Sequence, residues 1–293
     1  MARGDHRVHV GRGSSGRLVG QGEFSAVAGV VVDAGAERAN PLDFRETKVI
    51  VLRWNVTYVP ARYRRYQGET VPEIVAPQLV VNSRMIYFGW VPADPEAVAA
   101  LVPEGLKPPA NRQVFMNQYV VDRDEQTSGF GAYSLTYIGP DLEDAYAPDG
   151  ETPGRWWTHY FNSSEVVREY AAARGVPASV GRTTIEVADG KLVATTEADG
   201  VPVIRTTARV GETGTAVNRG QLRYITEVGG QRHSGVYPFV AEPVDPFEVV
   251  SLEFLEPSHS VYALRPADPL QIEWGFYSPR SSFTYPGGES VMT

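Results

Sequence analysis

The chain contains no cysteine. Disulfides, thiolate nucleophiles and zinc–thiolate sites are thereby excluded together, and the absence accords with a reducing cytoplasm, the expected location. Lysine is nearly as scarce: of 27 Lys plus Arg residues, only Lys48, Lys107 and Lys191 are lysine. Arginine keeps its proton at working pH and forms no imine, so amine-based covalent catalysis has only these candidates. No apolar run approaches the roughly 20 residues that a membrane-spanning helix needs. The stretch from Met1 to Phe24 lacks the continuous apolar segment of a secretory signal. Net positive charge is missing as well. The formal charge is −8 and the pI about 5.2, which argues against binding a nucleic-acid backbone.

What is present is an ordinary globular balance, 42% hydrophobic and 21% charged residues. Glycine-rich stretches and weak periodicity over residues 1–45 suggest a poorly ordered arm with one short strand at Val27–Val32. Residues 46–293 are expected to form a single domain. Val49–Leu52 reads as a strand, and Arg62-Tyr63-Arg64-Arg65-Tyr66 as a solvated loop or an oligomer contact. Strands are expected at Arg84–Trp90, Val114–Val121 and Tyr133–Ile138, with an aromatic one around Trp156–Phe161. A short helix over 94–102 takes Asp94 as its N-cap and Pro95 at its first position. A second helix, Ser163–Arg174, presents Val166, Val167 and Tyr170 on one face and ends at Gly175. Thr183–Val187 and Leu192–Thr196 flank Ala188-Asp189-Gly190-Lys191, a hairpin signal. Val203–Val210, Leu222–Glu227, Phe247–Leu255 and Ile272–Thr284 complete the strands. Many short strands with two helices predict an α+β domain on a large antiparallel sheet or barrel-like cone.

Motifs for known site types are few. His6, His9, His159, His233 and His259 show no ligand spacing beyond His6-x-x-His9; HExxH, P-loop and Gly-x-Ser-x-Gly patterns are absent, and the glycines at Gly11-Arg12-Gly13 lack the strand–helix setting of a dinucleotide turn.

An ordered set of segments is more informative. Arg84 opens a strand that leads to a helix ending in Pro103-Glu104-Gly105-Leu106. Ser128-Gly129-Phe130-Gly131-Ala132-Tyr133 follows, then the aromatic strand, then a helix closing at Gly175-Val176-Pro177-Ala178-Ser179, then the Asp-Gly hairpin. In this order, over roughly Val80 to Pro286, the chain resembles the acetoacetate decarboxylase superfamily. The resemblance implies a cone-shaped α+β domain, a homo-oligomer and a small-molecule substrate. It also implies a departure. The family's Schiff-base lysine and its neighbour fall on Ala178 and Ser179, and the glutamate after the Ser-Gly turn is replaced by Ser134-Leu135. Arg84 falls where the family's carboxylate-binding arginine lies.

The residues expected to line the equivalent cavity are Arg84, Asn117, Gln118, Tyr133, Ser134, His159, Ser179 and Glu273. His159, Tyr133 and Ser134 are the catalytic candidates; Arg84, Asn117, Gln118, Ser179 and Glu273 are the substrate-binding ones. Each has a structural alternative, such as a satisfied core histidine at 159 or a structural ion pair at Arg84. The expected function is a cofactor-independent, metal-free enzyme acting on an oxo-acid or polyketide-like molecule, by dehydration, aldol-type addition or cyclisation, as in secondary metabolism. The competing expectation is a non-catalytic binding protein on a decarboxylase scaffold.

Overall fold

In the computed structural model, the described residues are 63–66, 69–72, 77–214, 216–285 and 289–292. The expected arm and the strands at 27–32 and 49–52 lie outside them. Two short strands, β1 (Tyr63–Tyr66) and β2 (Glu69–Pro72), pair with each other. The remainder runs β3 (Gln78–Trp90), α1 (Pro95–Ala99), β4 (Val114–Val121), β5 (Tyr133–Leu142), β6 (Gly154–Trp156), β7 (His159–Asn162) and α2 (Glu165–Ala172). It continues β8 (Ala178–Ala188), β9 (Lys191–Ala198), β10 (Val201–Thr213), β11 (Asn218–Val228), β12 (Gln231–Ala241), β13 (Val244–Phe254), β14 (Ile272–Tyr285) and β15 (Ser290–Val291).

The pairing order closes on itself. Seven strands, β5–β4–β3–β14–β12–β11–β6, return to β5 through the β5–β6 pair and form a barrel. A wing of β7, β8, β9, β10 and β13 continues from β5 and folds back on the barrel. No helix among the described residues is long and apolar enough to cross a membrane.

Alternation along each strand sorts side chains between two cores. Tyr87, Phe115, Tyr119, Tyr137, Tyr237 and Phe283 belong to the cluster inside the barrel. Their sequence neighbours Ile86, Phe88, Met116 and Ile138 point the other way, against Ile185 and Leu192 of the wing. Since β3–β5 are covered on both faces, their burial is nearly continuous.

The local signals act as expected. The Asp94 side chain accepts from the Ala97 N–H at 3.0 Å, with Pro95 in the first turn. Asp189 and Gly190 both adopt positive φ, 51° and 73°, the requirement of a two-residue turn joining twisted strands. In α2 the buried face is Val167, Tyr170 and Ala171 rather than the expected one, because Val166 is 45% exposed. The aromatic strand is broken at Trp157-Thr158, where β6 leaves for β11 and β7 leaves for β8. β12 has no counterpart in the sequence reading.

One glycine is demanded by this crossing. A Cβ on Gly139 would sit 1.9 Å from the Trp156 carbonyl oxygen, which is backbone and has nowhere to retreat. Gly139→Ala is expected to destabilise the domain by about 1–3 kcal/mol or more, as overpacking does, read as a lower urea midpoint at unchanged slope. A midpoint equal to wild type would show that the crossing can relax.

Candidate functional site

Strand parity decides where the sequence-nominated residues go. Only Asn117 and Tyr133 share the inward parity of the barrel core. Arg84 has the outward parity of Ile86 and Phe88. Its guanidinium clamps Asp122 through Nε and Nη2 at 2.9 and 2.6 Å, and it also donates to the Ile185 carbonyl. The hydrogen bond to Asp122 raises the Arg84 pKa despite partial burial. Gln118 and Ser134 also face the wing. Gln118 bonds Thr196 and Thr206 at 2.9 and 3.0 Å, and Ser134 Oγ accepts from the Thr183 N–H at 2.9 Å. Ser179 and Glu273 are exposed. The expected eight-residue cavity is thus corrected by parity, since the structure does not bring these side chains together.

His159 stands in a small cluster of its own on the wing side. Nε2 lies 2.8 Å from Ser260 Oγ, and Nδ1 lies 3.0 Å from Thr158 Oγ1. The Thr158 hydroxyl hydrogen is committed to the Ile138 carbonyl, so Thr158 accepts from Nδ1–H and the bare Nε2 accepts from Ser260. Burial, with the His259 ring 5.9 Å away, lowers the His159 pKa to about 4.

The barrel interior holds a different set. Ala178, at the position the resemblance gives to the amine, packs against the interior cluster with a methyl group. Lys107 is exposed and paired with Glu143 at 2.7 Å, Lys191 is exposed at the hairpin, and Lys48 lies outside the described residues. The cationic group inside is Arg155, on β6 and only 5% exposed. It is the direct cross-strand neighbour of Asp141 on β5, and its Nε donates to Asp141 Oδ1 at 3.0 Å. The other Asp141 oxygen accepts from Gln113. The rings of Tyr87, Phe115 and Trp274 surround the guanidinium carbon at 5.1, 4.8 and 5.4 Å, a geometry that favours a cation. Burial opposes the charge on Arg155, and the negative charge of Asp141 beside it supports that charge. Burial also raises the Asp141 pKa, with Arg155 and Gln113 pulling it back. Among the described residues, neither terminal nitrogen of Arg155 has a hydrogen-bond partner.

Above Arg155 opens a cleft of about 640 Å³ at the barrel mouth, walled by Tyr87, Tyr146, Phe239, Trp274 and Phe276. Beneath it lies a much more enclosed chamber of about 10 Å³, lined by Asn117, Tyr119, Tyr137 and Tyr237 among others. Tyr87 and Phe239 line both spaces. The Phe239 ring reaches this place because Gly220 leaves room, a Cβ there falling 2.5 Å from Cζ. Around the chamber, the Tyr137 and Tyr237 hydroxyls pair at 2.9 Å and those of Tyr119 and Tyr133 at 2.8 Å. The Tyr87 hydroxyl and Asn117 Oδ1 are buried with no partner. Burial drives the pKa of Tyr87, Tyr137 and Tyr237 well above 10, so all are neutral hydroxyls. Among the described residues no group of three His, Asp or Glu is placed to share a metal ion.

Solved structures share this architecture. An acetoacetate decarboxylase superposes with a TM-score of 0.53 at 17% identity, over 75% of this chain and 90% of its own. The chain has the acetoacetate decarboxylase fold. The enduracididine biosynthesis enzyme MppR in complex with pyruvate gives 0.54 at 13%, over 77% and 94%. The decarboxylase of Legionella pneumophila gives 0.51 at 15%, over 74% and 88%. No protein-family model matches the sequence, and no curated protein matches it. At such identities the acetoacetate decarboxylase-like fold is what is shared, and the chemistry rests on this chain's own side chains.

Arg155 escaped the sequence reading because Gly154-Arg155 follows a Pro-, Asp- and Gly-rich loop, the usual setting of a solvated arginine. The available signal was its company: Trp156-Trp157 on one side, and Asp141 at the end of the preceding strand.

Proposed function

We propose that this chain is a cofactor-independent enzyme for a carboxylic oxo-acid or related polyketide-like molecule, working without an imine. The observation that carries the reading is the buried Arg155 with both terminal nitrogens free at the base of an aromatic cleft. A guanidinium in that state suits a carboxylate or an enolate oxygen, which would accept two parallel hydrogen bonds. The apolar walls would hold the substrate body and exclude water. The neutral tyrosine hydroxyls beneath would donate to developing negative charge on oxygen, a preorganised stabilisation that needs no titration. The relatives' names, a decarboxylase and a biosynthetic enzyme complexed with pyruvate, accord with small oxo-acid substrates. Ala178 packed against the interior cluster, and Lys107 and Lys191 on the surface, support chemistry without a Schiff base.

A second reading, a binding protein without turnover, draws on the same interior. Asp141 is tied to Arg155 and Gln113, and the tyrosines are held neutral, so no evident group there carries a proton to and fro near pH 7.

Two experiments divide these readings. Incubation with keto acids and borohydride is expected to leave no reduced adduct; a stable covalent adduct would restore amine catalysis. Turnover of any acid by wild type, lost in Arg155→Met/Asp141→Asn, supports the enzyme. Saturable binding of acids without product from any of them supports the binding protein.

A further inference from the structure

Asn117 and Tyr87 set a requirement that an oxo group does not meet. The chamber between them has the room that one water oxygen needs. Asn117 opposes the rise that burial gives the Tyr137 pKa, as an amide N–H does. The amide oxygen Oδ1 is then left buried and unpartnered, and so is the Tyr87 hydroxyl. Other buried polar atoms among the described residues also lack partners, but these two belong to residues that line one cavity, and each costs the desolvation of a buried polar group. Their chemistry is complementary rather than alike. Tyr87 O–H can donate, whereas a carbonyl oxygen such as Asn117 Oδ1 only accepts. The group that satisfies both must accept one hydrogen bond and donate another.

We propose that the chamber is a subsite for a hydroxyl, either an alcohol or the enol form of a ketone, on a substrate whose carboxylate lies on Arg155. This rests on the Arg155 reading above, keeping its carboxylate and replacing the oxo group with a hydroxyl or an enol. A ketone oxygen would accept from Tyr87 and leave Asn117 Oδ1 unpaired, and a methylene would leave both unpaired. Tyr87 and Phe239 line both the chamber and the cleft, so the subsite adjoins the cleft that Arg155 lines.

Calorimetric titration with α-hydroxy-, α-oxo- and unsubstituted γ-phenylbutanoate tests this, using both hydroxy enantiomers. One hydroxy enantiomer is expected to bind about tenfold or more tighter than the other two acids, equivalent to about 1.4 kcal/mol. Asn117→Leu, close to isosteric, is expected to erase that preference, bringing the favoured hydroxy enantiomer to the affinity of the other acids. Tyr87→Phe, which keeps the ring and removes only the hydroxyl, should do the same and guards against a folding defect in the first variant. Equal binding of the three acids, tighter binding of the oxo acid, or a preference that survives both variants overturns the subsite and leaves the Arg155 reading standing. Binding of all three no tighter than to Arg155→Met/Asp141→Asn overturns both.

Discussion

Arg155→Met is expected to cost the fold about 3–5 kcal/mol, the range for removing one partner of a buried ion pair, and to abolish binding of carboxylic acids. The loss comes from Asp141, only 4% exposed, which keeps Gln113 but loses its counter-charge. The pH dependence has a definite sign. Burial already raises the Asp141 pKa above its ordinary value while Arg155 pulls it down, so the variant raises it further. A carboxyl with a raised folded-state pKa contributes stability below its unfolded value of about 4, and that stability is lost as pH rises through the folded value. The penalty of Arg155→Met should therefore shrink toward pH 4 and grow toward pH 7. Adding Asp141→Asn should recover most of the stability without recovering ligand affinity. Urea unfolding at two pH values and calorimetry with a carboxylic acid read the two effects separately. A penalty under about 1 kcal/mol at pH 7, or undiminished acid binding by the double variant, would remove Arg155 from the site.

His159 should give the second large effect, in acid. Its folded-state pKa is lowered to about 4 by burial and the nearby His259, against about 6.5 in an unfolded chain. A histidine held neutral contributes stability that is complete above the unfolded value and disappears as pH falls through the folded one, because the unfolded state binds the proton first. The difference corresponds to about 3 kcal/mol, lost between about pH 6.5 and 4. His159→Gln should flatten this part of the stability profile relative to wild type, as followed by chemical denaturation at four pH values. Parallel profiles for the two proteins would assign the acid sensitivity to carboxylates instead.

The contrast between these groups shows what the sequence made legible. Turn and cap chemistry was readable because single residues enforce it: Asp94 with Pro95, Asp189 with Gly190, Gly175 after α2. Strand positions were readable from β-branched and aromatic runs. β12 was not, since Gly235 and Pro238 interrupt any apolar alternation in Gln231–Ala241. The face of each strand was also hidden. Where both faces are buried, as throughout β5, apolar residues occupy both parities and nothing in the sequence marks the interior. Arg84 and Met85 differ by one position and end on opposite sides of the barrel wall. The acetoacetate decarboxylase-like order of elements survived this ambiguity because order does not depend on parity. The site did not, because a side chain's place depends on little else.

β6 is three residues long, yet it closes the barrel, pairing Leu142 and Asp141 on one side and Arg223 to Ile225 on the other. Its middle residue is Arg155. The clasp of the ring and the guanidinium proposed to hold an anion are therefore on one short piece of backbone. A molecule held by Arg155 would bridge from this clasp to the opposite wall and fasten it, so occupancy and rigidity would rise together.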